Sequence, residues 1–208
     1  MVGLILKDLM TIQRQMKAQA FVLIFLLMMA IFMQQSAMLL AVIVFIVTIQ
    51  AITALSYDEQ SKWDKYANTL PISKADIVFS KYILSVMLMI FGLVMALPIL
   101  FFINFFTKND ITSEFFLTFN LIITSALCLL AVLLPIYIKF GSIKGRIVLI
   151  AFCFIPGFLT GMFKEYIPDM TQTFLYLKQY VYLAPLGGLI LLCLSSLVST
   201  AIYKRKEF

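Results

Sequence analysis

Long apolar blocks separated by short polar ones dominate this chain, and the block lengths predict most of its elements. Residues 18–56 contain no charged side chain over 39 positions. As a helix that stretch would be about 58 Å long, nearly twice a bilayer core of about 30 Å. Gln34, Gln35 and Ser36 interrupt it near its middle. The pattern therefore predicts a tight hairpin of two spans, 18–33 and 37–56. Four further apolar blocks follow at 82–106, 115–138, 147–163 and 181–203, with Pro98, Pro135 and Pro156-Gly157 inside three of them. The expected fold is all-α and integral to the membrane: one transmembrane domain of six helices.

Three segments carry helical periodicity without being apolar all round. In 1–17, Val2, Ile5, Leu9, Ile12 and Met16 recur every three or four positions while Lys7 and Arg14 lie off that stripe. This predicts an amphipathic helix lying in the interface. In 164–180, Ile167, Met170, Phe174 and Leu177 predict a second short amphipathic helix. The third, 57–81, is the longest polar stretch and joins spans two and three. Trp63, Tyr66 and Leu70 fall at i, i+3 and i+7, and Asp58 and Lys62 have the spacing of an i, i+4 ion pair. Pro71 should end that helix. Ser73 with Asp76 has the form of a capping box for a helix continuous with span three. Two readings of the segment are open: an interfacial aromatic anchor, or a docking element that passes force from a soluble partner into the spans.

Composition agrees with this picture. The chain has 208 residues, 63 % hydrophobic and 12 % charged, where a soluble domain averages about 25 % charged. Mean hydropathy is +1.05. The net charge of +6 comes from basic residues beside the spans, a topogenic rather than nucleic-acid-binding distribution. Thirteen of the 16 Lys and Arg residues fall with the N-terminus, 57–81, 139–146 and the C-terminal tail. Only Lys108, Lys164 and Lys178 fall on the other side. The positive-inside rule then places both termini and 57–81 in the cytoplasm and 164–180 outside. The first apolar run has no small-residue cleavage pattern behind it, so no removable leader is expected.

The candidate chemistry is sparse. The chain has no histidine, which excludes HExxH zinc motifs and Ser-His-Asp triads. Cys128, Cys153 and Cys193 lie inside apolar runs without metal-ligand spacing. No catalytic or metal-binding set is expected. Gly141 and Gly145 in GSIKGR do not make a phosphate loop, so the chain is not expected to hydrolyse ATP. No ionisable residue falls mid-span, which argues against an ion-coupled carrier. The polar residues within spans read mostly as interhelical contacts, with Gln50, Thr53, Asn104 and Asn120 as candidate pathway-lining positions.

The whole pattern resembles the membrane subunits of type-2 ABC exporters, in particular the short bacterial branch that exports, or confers immunity to, bacteriocins and peptide toxins such as phenol-soluble modulins. The resemblance spans the full chain. It rests on the start LILKDLMTIQRQ, the six spans and, above all, the loop SYDEQSKWDKYANTLPISKADIVFSKYI. Its family-like features are Asp58-Glu59, Trp63, Tyr66, Leu70-Pro71 and Ser73-Lys74. The resemblance implies that 57–81 holds a coupling helix docking on a separate ABC ATPase through Asp58, Glu59, Trp63, Tyr66, Leu70 and Pro71. It also implies ATP and Mg on that partner, a second permease copy forming a homodimer or heterodimer, an amphipathic peptide substrate, and residence in a bacterial plasma membrane. The substrate-binding component of a six-span vitamin importer is the alternative, matching in size and span number but needing no long amphipathic loop.

Overall fold

The computed structural model describes residues 2–33, 36–107, 113–162 and 181–206. Its helices are α1 (Val2–Met33), α2 (Ser36–Gln60), α3 (Trp63–Ala67), α4 (Lys74–Thr107), α5 (Ser113–Met162) and α6 (Ala184–Arg205). Among the described residues, Leu40–Gln60, Lys74–Pro98, Phe116–Ala151 and Ala184–Arg205 are long and apolar enough to cross a membrane. Of the break expected at 34–36, Ser36 is the first residue of α2, and residues 34 and 35 lie outside the described residues. The amphipathic segment expected at 164–180 lies outside the described residues.

The sequence divides 1–17 from a span at 18–33, whereas α1 runs through that boundary as one helix of 32 residues. Its N-terminal part packs on other helices. Ile12 is fully buried with Val47, Ala51 and Ala54 of α2 and Leu84 and Leu88 of α4, and Ile5 and Leu9 pack on the same cluster. The apolar stripe anticipated in 1–17 thus meets apolar partners on neighbouring helices. Val2 at its start is exposed.

The main core lies where α2, α4, α5 and α6 converge, with Leu40, Val44, Val78, Leu127, Leu130 and Leu134 at its centre. Gly188 brings α6 close to α5: a Cβ there would sit 3.0 Å from Leu127 Cβ. Polar contacts then fix the register of these helices. The Tyr82 hydroxyl lies 2.7 Å from the hydroxyls of both Ser195 and Ser199, and Ser195 Oγ donates to the Ala131 carbonyl at 2.6 Å. One tyrosine on α4 is so joined to α6 and, through Ser195, to α5. Thr48, Ser85 and Thr200 instead return their hydroxyl protons to carbonyls of their own helices. Such bonding satisfies a buried hydroxyl without a neighbour.

The glycine-bearing stretch 139–146 forms no open loop. It is helical except at Gly141, whose φ of 80° and ψ of −179° break α5 into halves 113–140 and 142–162. Only glycine takes that backbone region without penalty. Beyond the break, Val148 and Leu149 pack on the cluster of Ile52, Leu129, Leu133 and Tyr137.

Candidate functional site

The segment between α2 and α4 has a different local structure from the single helix its periodicity predicts. α2 continues to Gln60, so Tyr57–Gln60 belong to it, and Lys62 with φ 53° and ψ 33° then stops it. α3 is only the five residues WDKYA. A left-handed residue between the two changes the direction of the chain, so residues 58–60 and 63–67 do not share a face. Asn68 caps α3 by donating from Nδ2 to the Asp64 carbonyl at 2.7 Å. α4 starts as the Ser73–Asp76 spacing anticipates, with the Asp76 N–H donating to Ser73 Oγ at 3.0 Å.

Asp58 does not turn along its helix to Lys62; it faces inward, buried, and meets two lysines. Lys7 Nζ is 2.5 Å from Asp58 Oδ1, and Lys81 Nζ is bonded to Asp58 Oδ2. Asp8, only 1 % exposed, completes the set: Lys81 Nζ is 2.7 Å from its Oδ2 and Lys7 Nζ 2.9 Å from its Oδ1. Two ammonium groups and two carboxylates from α1, α2 and α4 form a neutral, largely buried ring. An isolated charge there would be expensive to desolvate, and each is compensated by two opposite neighbours. Sequence reading missed this ring because Asp8 looks like one charge of an ordinary interfacial helix. The signal available was a carboxylate one turn from Leu4 and Ile12, on the face that is buried.

Glu59, adjacent to Asp58, reaches the other way. Its Oε2 accepts the Ser142 N–H, the first amide beyond the α5 break. This is a helix N-cap supplied by another helix, with the carboxylate also placed favourably for the dipole of 142–162. Asp64 in α3 points to α6, with Lys206 Nζ 3.6 Å from its Oδ2 and the Tyr203 hydroxyl donating to Oδ1 at 3.4 Å. Beneath these groups lies a cavity of about 40 Å³ whose lining includes Asp58, Asp64, Lys81, Tyr137 and Tyr203, large enough for a few waters.

Trp63 is partly buried against the main core, and Lys7 Nζ sits 4.1 Å from its ring centroid. Lys7 therefore binds the ring by cation–π attraction and Asp58 by charge. Tyr66 lies beside Trp63, their centroids 5.3 Å apart, but is 57 % exposed. Lys62, Lys65 and Pro71 are exposed and Leu70 is half-buried. Of the six residues singled out for docking, Tyr66 and Pro71 face outward, Asp58 and Trp63 face inward, and Glu59 is exposed yet bonded across to α5. Both carboxylates lie in the last turn of α2, where Glu59 is exposed, while Asp58, which the resemblance implied would dock, is buried among the two lysines.

Of the expected pathway residues, Gln50 and Thr53 lie one turn apart on α2 and Asn120 lies near the start of α5. Gln50 on α2 is 1 % exposed, and among the described residues neither of its amide atoms has a hydrogen-bond partner. Thr53 Oγ1 donates to the Ile49 carbonyl at 3.4 Å. Asn120, near the start of α5, donates to the Phe116 carbonyl at 2.8 Å. It lies about two and a half turns from Leu129, where α5 meets Ile52 of α2. The side chain of Asn104 is outside the described residues. Among the described residues no group of His, Cys, Asp and Glu is arranged to hold a metal.

A family model described as "ABC-2 family transporter protein" matches residues 3–204. No curated protein and no solved structure matches the chain.

Proposed function

The chain belongs to the ABC-2 family of transporter membrane proteins, and on that premise we propose that it is the permease subunit of an ATP-driven exporter whose ATPase is a separate polypeptide. α3 and its flanking turns would be the docking element, in a dimer of permease subunits in the bacterial plasma membrane. ATP and Mg would be bound by the partner. The substrate would be an apolar or amphipathic peptide, since spans without mid-span charge offer a small soluble ion nothing to offset its desolvation.

The observation that carries this reading is the distribution of bonds around the end of α2 and the adjoining α3. Asp58 is tied to α1 and α4, Glu59 to the second half of α5, and Asp64 to α6. A push on this segment would reach all four helices directly. A lipid anchor needs no such connections. The surface left facing outward includes Lys62, Lys65, Tyr66 and Pro71. The partner's groove would therefore present carboxylates around an aromatic pocket, with Tyr66 as anchor and the lysines setting orientation.

Isolation of the chain from native membranes tests the assembly. An ABC ATPase should travel with it, and the chain alone should hydrolyse no ATP. Vesicles holding the complex should move an amphipathic peptide on addition of ATP. Transport driven by an imposed proton gradient in the absence of ATP would refute the mechanism.

A further inference from the structure

A second feature, distant from α3 in sequence, is an open pocket of about 330 Å³ lined by Lys139, Ile202, Arg205 and Lys206. It lies where the first half of α5 and the whole of α6 end, beside the break at Gly141. We propose that it binds the phosphate of an anionic phospholipid headgroup from the leaflet on that side.

Lys206 is held in place: its Nζ donates to the Ile138 carbonyl at 3.3 Å and lies 3.6 Å from Asp64 Oδ2. Asp64 offsets one positive charge of the pocket. Lys139 and Arg205 are both exposed, and among the described residues neither is paired with a carboxylate. Lys139 rests 5.0 Å from the ring centroid of Phe140, and Lys144 5.6 Å from the same centroid, so a fourth cation stands near the three that line the pocket. Cations crowded in this way repel one another unless an anion joins them. A phosphate diester suits the mixture, because arginine offers a planar fork to two oxygens and lysine a point charge.

The occupant is read as a lipid because of what adjoins the cations. From Ile202, the exposed residues Val198, Leu194 and Leu191 recede along α6 at steps of four, four and three. That is one helix face leading from the charged rim into the apolar length of the helix. Val132 is exposed on α5, two turns from Lys139. A headgroup in the pocket would lay an acyl chain along this face, whereas a free phosphate would make no use of it. Basic pockets between helices at a membrane boundary bind anionic headgroups in this manner.

Native mass spectrometry of the full-length chain in detergent tests the proposal, with titration by phosphatidylglycerol, phosphatidylcholine and inorganic phosphate. Phosphatidylglycerol should bind the wild type at least about tenfold more tightly than phosphatidylcholine, because each of the two exposed cations favours an anionic headgroup. Lys139→Gln with Arg205→Gln should remove that preference, and Lys139→Arg with Arg205→Lys should retain it. Lys62→Gln with Lys65→Gln, an equal loss of charge elsewhere, should leave it unchanged. Circular dichroism establishes that each variant is folded. Equal binding of the two lipids, or an equal loss in the Lys62/Lys65 variant, would overturn the site. Competition by millimolar phosphate would overturn the lipid as its occupant.

Discussion

Lys81 and Lys7 touch the same two carboxylates, yet burial separates their roles. Lys81 is nearly sealed, whereas the Lys7 side chain is 27 % exposed and rests on Trp63. Replacing Lys81 by Met would leave Asp8 and Asp58 buried with one compensating cation. Such uncompensated burial costs about 3–5 kcal/mol. Replacing Lys7 by Met removes a partly screened pair and a cation–π contact, for about 1–2 kcal/mol. Denaturant unfolding of the two variants in one detergent should give that order. Lys7→Met as damaging as Lys81→Met would mean that the partial exposure of Lys7 does not weaken its pairing with the two carboxylates. Gln50, whose amide has no partner among the described residues, should accept Met with little loss of stability; a loss above about 2 kcal/mol would reveal hydrogen bonds at that site.

At the scale of elements, α5 depends on a residue from α2. Gly141 occupies a backbone region strained for any other residue, and an added Cβ would lie 2.5 Å from Glu59 Oε1. Gly141→Ala should therefore disturb both the break and the cap, by about 1–3 kcal/mol or more. Glu59→Ala should cost about 0.5–2 kcal/mol through the lost cap, while Glu59→Gln keeps an acceptor and should lose less. Unfolding midpoints check this, and equal effects of Ala and Gln at 59 would contradict it. The start of α4 was readable because Ser73 and Asp76 are local in sequence. The end of α2 was not. Periodicity through Trp63, Tyr66 and Leu70 describes one continuous helix, and the left-handed Lys62 that interrupts it has no glycine or proline to announce it. The unbroken α1 was hidden for another reason: its stripe at Ile5, Leu9 and Ile12 fits a membrane surface as well as it fits α2 and α4.

Across the molecule, the helical membrane character was legible from apolar block lengths alone. The pairings Asp8–Lys81, Glu59–Ser142 and Asp64–Lys206 join residues 73, 83 and 142 positions apart, beyond any local pattern. Topology carries its own prediction from the basic residues beside the spans. In a chain whose three cysteines are first replaced, single cysteines at Thr112 and Thr171 should be labelled from outside intact cells, and one at Ser61 should not. External labelling at 61 would invert the orientation and with it the side on which α3 could meet an ATPase.

The central claim is that α3 couples the spans to a separate ATPase through a basic and aromatic surface. Stimulation of the purified ATPase by this permease in nanodiscs measures it most directly. Tyr66→Ala, and separately Lys62→Glu with Lys65→Glu, should reduce stimulation at least about tenfold, as loss of an interface anchor or reversal of its charges would. Helix content and unfolding midpoint should stay close to wild type, because these side chains are exposed. Full stimulation by both variants would contradict the claim and return α3 to an anchor at the membrane surface.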